Sequence, residues 1–264
     1  MPEGLEAELW RRDAEALIGR VVRDVRVDER VAPHDLRDLI VAATIEAVDR
    51  IGKVVLLRTD AATVGLHFGM TGRLVVDGRS SIDRLEYSSG ADRGEWDRLE
   101  LWTDPSPYSD DVPALRLNDP RRLGRITVDP DVGHLGPDVL VAAAAVVRAA
   151  IATAAARRRS ALKAVLLDQA VVAGLGNLCV DEVLFTAGID PRRSVDSLSE
   201  RDVDLLVDAI AEVLPPMLVA GGSTHGTLDP DRRRYLGPCP QDGAALERAT
   251  VGGRTTVWCA AHQR

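Results

Sequence analysis

The hydrophobic period of this chain changes near its middle, and that change sets the kinds of fold open to it. From Val21 to Pro130 apolar residues recur close to every second position, in valine-rich runs such as VVRDVRV, TIEAV, KVVLLRT, VGLHF, RLVVDG, RLELW, ALRL and RITV. A period of two places alternate side chains on one face of a strand, and many short strands divided by turns predict an antiparallel sandwich or barrel. From Val139 to Leu218 the pattern becomes alanine-rich and helical, with breaks expected at Gly174–Gly176, Gly188–Pro191 and Pro215–Pro216. Neither a sheet nor a helical bundle alone satisfies both halves, so an α+β, multidomain chain is expected. A helix is also expected from Pro2 to about Ile18, with Leu5, Leu9, Trp10, Ala14 and Leu17 apolar, Glu3 and Glu6 in its first turn and Gly19 as its stop. The expected layout is a β-sandwich domain over 1–130, a linker over 131–137, a helical domain over 138–225 and a small terminal module with a short β pattern over 232–264.

Composition narrows the class. With 264 residues and 45% apolar content the chain can bury real cores. The longest apolar stretch, Val139 to Val147, ends at Arg148 and is too short to span a bilayer. No charged segment followed by an apolar run opens the chain, so no signal peptide is expected. Cys179, Cys239 and Cys259 are too few to staple a secreted scaffold, which points to a reducing, cytoplasmic setting. The net charge of −8 speaks against a polyanion partner, yet the sum hides its distribution. Residues 92–111 are acidic, whereas Arg116, Arg121, Arg122 and Arg125 cluster, Arg157–Arg159 form a triplet, and six arginines follow residue 231. Each cluster taken alone is equally a solvated face. Only Lys53 and Lys163 are lysines among 33 basic residues, so each is a candidate for a position that arginine fills poorly.

Several motifs, in order, resemble the formamidopyrimidine-DNA glycosylase and endonuclease VIII family of base-excision repair enzymes. They are the MPEGLEAE opening, RIGKVVLL around Lys53, HFGMTGRL at His67–Leu74 and NDPRRLGR at Asn118–Arg125. HLGPD at His134–Asp138, GLGNLCVDEVLFTAGIDP at Gly174–Pro191, GGST at Gly221–Thr224 and GRTTVWC at Gly253–Cys259 complete the series, which spans essentially the whole chain. The resemblance implies a helix–two-turns–helix element in the helical domain, a zinc-finger-like β-hairpin at the end, and damaged double-stranded DNA bound by a monomer. The implied activity is removal of oxidised bases followed by strand cleavage at the abasic site.

The residue chemistry is compatible with that activity. Once Met1 is removed, Pro2 presents a secondary α-amine, which titrates near 7.7–8.0 and is partly free at neutral pH. Its attack on a sugar C1′ gives an iminium, an electron sink that acidifies the neighbouring sugar proton and drives phosphate elimination. By resemblance Glu3 moves protons at the sugar and Glu6 supports the site. Lys53, His67, Asn177 and Arg254 are implied to grip the phosphates around the extruded nucleotide, with Lys163 and Arg122 also on the DNA-binding side. Met70, Arg121 and Leu123 occupy the positions of three side chains that fill the space the base leaves. Leucine stands where the family has a stacking phenylalanine, which alters the search for lesions.

Two further departures bear on metal and specificity. The family's four-cysteine finger reads here Cys239-x2-Asp242-x16-Cys259-x2-His262. Two thiolates, a carboxylate and an imidazole can bind one zinc tetrahedrally; His225 or water could replace Asp242, and a metal-free hairpin held by Trp258 is the alternative. Between Thr224 and Tyr235 lie ten residues, where purine-directed relatives carry a longer loop over the extruded base. Shortening opens the base pocket and leaves the choice between oxidised purine and oxidised pyrimidine undecided. Pro2, Glu3, Lys53 and Arg254 together favour an enzyme over a catalytically idle damage-binding protein. A pI of 5.2 favours a protein unrelated to nucleic acid, and the phosphate-contact set opposes that reading.

Overall fold

Each period-two run of the first half forms a strand. In the computed structural model, which describes residues 2–88, 90–106, 109 and 111–264, the chain opens with α1 (Gly4–Ala14) and a 3₁₀ turn, and Gly19 follows at φ +85°. There follow β1 (Val21–Val27), a short α2 (Leu36–Ile40), β2 (Ile45–Ile51), β3 (Val54–Thr59), β4 (Thr63–His67), β5 (Arg73–Val76), β6 (Asp97–Asp104), β7 (Leu115–Asn118) and β8 (Arg125–Val128). They pair antiparallel in two four-stranded sheets, ordered β1-β6-β7-β5 and β2-β3-β4-β8. The inward positions of both sheets, among them Val25, Leu57, Leu66, Leu74, Leu99 and Leu117, share one core with Trp10 and Leu17. Trp10 stacks on Phe68 with ring centroids 4.3 Å apart, so α1 closes this core.

The second half is built from α3 (Ala144–Arg157), α4 (Leu162–Leu166), α5 (Asn177–Ala187), α6 (Glu200–Ala220) and α7 (Pro230–Tyr235), followed by a hairpin of β9 (Glu247–Val251) and β10 (Arg254–Trp258). Ile151, Leu162, Val180, Leu184, Leu206 and Ile210 belong to its core. α5 stops at Gly188, whose φ of +68° is the left-handed cap a glycine adopts without strain. α6 opens on a capping box between Ser199 and Asp202. It corrects one expectation, because it runs unbroken through Pro215 and Pro216. Prolines there release the carbonyls of Ala211 and Glu212, and both residues are exposed, so water can take up the lost bonds. The opposite face, with Val203, Leu206, Val207, Ile210, Val213, Leu214 and Met217, is buried along its whole length and holds the helix.

The chain divides into two compact units, one of Pro2 with Glu6–Val132 and one of Glu3–Leu5 with Gly133–Arg264. Helices and terminal hairpin therefore share the second unit. Among the described residues no helix is long and apolar enough to cross a membrane.

Candidate functional site

In the first unit the candidate residues from Lys53 to Leu123 sit on or beside three turns. Lys53 follows Gly52 in the β2–β3 turn, and the next residue, Val54, pairs with His67 at the end of β4. The backbone N–H of Gly69 donates to His67 Nδ1 at 3.2 Å, so the neutral ring carries its proton on Nε2 and can donate it outward. Desolvation by the surrounding protein, then the positive charges of Lys53 and Arg125, hold the His67 pKa below the ordinary imidazole value. A neutral donor beside a lysine suits phosphate oxygens. Met70 follows Gly69, whose φ is +59° and whose missing Cβ would lie 2.3 Å from the carbonyl of Leu123. Only glycine lets these two turns touch. Arg121 Nη1 lies 4.0 Å from Met70 Sδ, and Leu123 remains 44% exposed, so an apolar tip stands open to solvent.

One carboxylate organises both turns. Asp119, fully buried, accepts from Thr71 Oγ1 at 2.6 Å and from the backbone N–H groups of Arg121 (3.2 Å), Leu123 (2.7 Å) and Gly124 (2.7 Å). Its own carbonyl accepts from Arg98 Nε at 2.9 Å. Arg122, at φ +53°, is ion-paired with Asp28 at 2.7 Å.

In the second unit Glu3 serves the N-terminus of α5. Its carboxylate accepts from the N–H groups of Leu178 (2.7 Å) and Cys179 (3.1 Å), donors that the helix cannot satisfy itself. The anion also meets the positive end of the helix dipole. A Cβ at Gly176 would lie 2.2 Å from the Glu3 carboxyl carbon, which accounts for the glycine before Asn177. Gly4 N–H donates to the Gly174 carbonyl at 2.8 Å, joining the PEG and GLG motifs backbone to backbone. Asn177, the first residue of α5, is buried, and its amide oxygen has no hydrogen-bond partner among the described residues. Pro2 and Glu6, which belong to the first unit, are buried. Met1 lies outside the described residues.

Arg254 is exposed and opens β10 directly after the Gly252–Gly253 turn, at the hairpin tip. Lys163 requires a correction. Its side chain is fully buried, with Nζ 2.6 Å from Asp181 Oδ1 and 3.2 Å from the Thr255 carbonyl, so it has no surface with which to meet DNA. Burial pushes its pKa down, opposed chiefly by Asp181.

The donor atoms of Cys239, Asp242, Cys259 and His262 all lie within 4.8 Å of one another. Cys259 Sγ is 3.5 and 3.6 Å from the Asp242 oxygens, Cys239 Sγ is 3.6 Å from His262 Nδ1, and Nδ1 is 3.8 Å from Asp242 Oδ2. Zinc–sulfur and zinc–nitrogen bonds of about 2.3 and 2.0 Å at tetrahedral angles require donors roughly 3.3–3.8 Å apart, so the residues fit the ion. His262 Nε2 lies 3.2 Å from the Phe185 carbonyl; a proton there leaves Nδ1 free as a ligand. The alternative ligand His225, in the 3₁₀ turn Ser223–His225, is outside this group.

Sequence reasoning missed Asp119, Asp181, Glu182 and Arg233. The first stood inside NDPRRLGR as an unexplained acid, and the next two inside the helix–two-turns–helix segment. Burial pushes the Glu182 carboxyl up to about 7, against backbone hydrogen bonds from Leu228 and Thr227. It anchors the segment that follows GGST.

The formamidopyrimidine-DNA glycosylase N-terminal domain matches residues 1–126, and the formamidopyrimidine-DNA glycosylase H2TH domain matches residues 135–229. Formamidopyrimidine-DNA glycosylases of Stenotrophomonas maltophilia (35% identical, covering 100% of both chains) and Paracoccus denitrificans (33%, covering 98% of both) are similar over their full length. The MutM (Fpg) protein of Thermus thermophilus superposes with a TM-score of 0.80 at 28% identity, over 99% of this chain and 98% of that one. The Lactococcus lactis Fpg, solved with an abasic-site-containing DNA, shares the fold with a TM-score of 0.78 at 24% identity, over 99% of both chains. With relatives at this identity along the whole chain, the protein belongs to the formamidopyrimidine-DNA glycosylase family.

Proposed function

We propose that the protein is a DNA-repair glycosylase that removes oxidised bases from duplex DNA and then cleaves the abasic site through the amine of Pro2. Family membership supports the glycosylase; the lyase step rests on the chemistry of the chain start. The amine bonds to C1′ as the base departs with its electron pair and takes up a proton; the amine proton is then lost and the C1′–O4′ bond opens, O4′ taking up a proton, to leave an iminium at C1′. Loss of the C2′ proton from the resulting iminium expels the 3′ phosphate, and a second elimination releases the 5′ phosphate. Glu3 is a buried carboxylate covalently next to the nucleophile and held by two helix amides, which supports a role in moving protons at the sugar. That placement is the observation that carries this reading. Lys53, His67, Asn177 and Arg254 act on phosphates, while Met70, Arg121 and Leu123 fill the gap left by the base. Zinc, when bound by Cys239, Asp242, Cys259 and His262, neutralises the two thiolates and locks the hairpin.

Borohydride trapping on an abasic-site duplex tests the nucleophile. Pro2→Gly should keep DNA binding and lose most of the trapped adduct and base excision. Undiminished trapping in that variant moves the nucleophile elsewhere, Lys53 first. Tight binding by the parent protein with no trapped adduct would identify a damage-binding protein without catalysis.

A further inference from the structure

A buried ionic junction in the second unit has no place in that chemistry. Asp181, on α5, is 1% exposed; its Oδ1 accepts from Lys163 Nζ at 2.6 Å and its Oδ2 from Arg233 Nη1 at 2.5 Å and from the Val257 N–H at 3.2 Å. The same two cations converge on one backbone acceptor, the carbonyl of Thr255. Lys163 Nζ and Arg233 Nη2 each reach it at 3.2 Å. Beside it the turn residue Gly252, at φ +59°, lies so close to α4 that a Cβ would stand 2.8 Å from the Ala164 Cβ. Arg248 of β9 donates to the carbonyls of Arg233 and Arg234. Four elements, α4, α5, α7 and the hairpin, are thus tied through one carboxylate and one carbonyl.

Stability alone explains this poorly. Three buried charges carry a desolvation penalty that well-packed apolar side chains of similar volume would avoid, whereas charges with fixed partners specify a geometry. The geometry specified here is the position of Thr255, the residue after Arg254. The donor group of Cys239, Asp242, Cys259 and His262 holds the hairpin at its base, and the junction holds it near its tip.

We infer that Lys163, Asp181 and Arg233 are positioning residues that fix Arg254 for phosphate binding by gripping the Thr255 carbonyl and the Val257 amide. The inference rests on the reading of Arg254 as a phosphate ligand. Arg233 is the informative member. It lies in α7, within the short segment after GGST, so that segment braces the finger.

The test uses the full-length, metal-loaded protein and a duplex with a tetrahydrofuran abasic analogue. Arg233→Met removes both guanidinium bonds and keeps an apolar stem of similar reach. It should weaken binding about tenfold and reduce the salt slope by about one released counterion, as Arg254→Ala does. Arg233→Met/Arg254→Ala should then be no weaker than either single variant. Hydrogen exchange at the Val257 amide should rise in Arg233→Met with zinc content unchanged, and remain at the parent level in Arg254→Ala. Arg233→Lys should recover most of the affinity. Losses that multiply in the double variant, or hairpin protection unchanged by Arg233→Met, would overturn the inference. If Arg254→Ala alone binds like the parent, the phosphate reading of Arg254 fails, and exchange still decides whether the junction holds the hairpin. Should Arg233→Met fold poorly, Lys163→Met carries the same comparison.

Discussion

The turns of the first unit and the framework of the second present their candidate residues in opposite ways. In the first, His67, Arg121, Arg122 and Leu123 stand exposed on turns, and the group that organises them, Asp119, lies buried beneath. In the second, Glu3, Asn177 and Lys163 are buried and Arg254 reaches out, carried by a hairpin tied at two points. Side chains on turns can adapt to a ligand and act through screened electrostatics. Buried polar groups cannot move without leaving a partner unsatisfied, so they set distances. Loss of an exposed residue should therefore lower affinity, whereas loss of a buried one should disturb a whole segment.

The largest expected effect falls on the finger. Metal analysis of protein purified without chelator should give near one zinc per chain, and Cys259→Ser should release it and expose the hairpin amides to exchange. Structural zinc in isolated fingers contributes about 10–16 kcal/mol to local folding; this site should contribute less, since a carboxylate and an imidazole replace two thiolates. Protein that is folded and active with no metal would show that packing of Trp258 suffices. Next comes Asp119→Ala, which strands four donors in the interior. A loss of about 3–4 kcal/mol in denaturant unfolding is expected, with Asp119→Asn losing less. A loss under about 1 kcal/mol would mean that the two turns stand without their shared carboxylate.

Glu182 gives a third, pH-dependent effect. Its carboxyl sits near 7 when folded against an ordinary 4.5, so the native state binds the extra proton between these values. Its contribution is complete below about pH 4.5 and is lost as pH rises to 7, by no more than roughly 3 kcal/mol. Glu182→Gln should flatten this limb of the stability curve; an unchanged limb would assign it to other groups. Arg254→Ala is the smallest, with no change in melting temperature and a salt slope lower by roughly one counterion. A melting shift of several degrees would make Arg254 part of the framework, like the second unit's buried groups.

Much of the architecture was legible because a hydrophobic period reports directly which face of an element is apolar. The strands from Val21 to Val128, the stop at Gly19 and the end of α5 at Gly188 all follow from local pattern. α2 and α7 did not, since five and six residues are too few to display a helical period. The Pro215–Pro216 pair misled because local propensity cannot reveal that the freed carbonyls belong to exposed residues while the opposite face stays buried.

The two-part α+β plan, the spacing of the four metal donors and the motifs that place the chain in its family are all written in the order of residues along the chain. Which polar atoms meet depends instead on how the folded chain closes on itself. Thr71 reaches Asp119 across 48 residues and Leu178 reaches Glu3 across 175, so neither pairing leaves a local signature. The same holds for Lys163. In sequence it is a rare lysine beside a motif, and in the fold it is an interior cation whose partners, Asp181 and the Thr255 carbonyl, lie 18 and 92 residues away. Periodicity shows which side of an element avoids water; only chain closure brings a buried charge to the partners that make its burial tolerable.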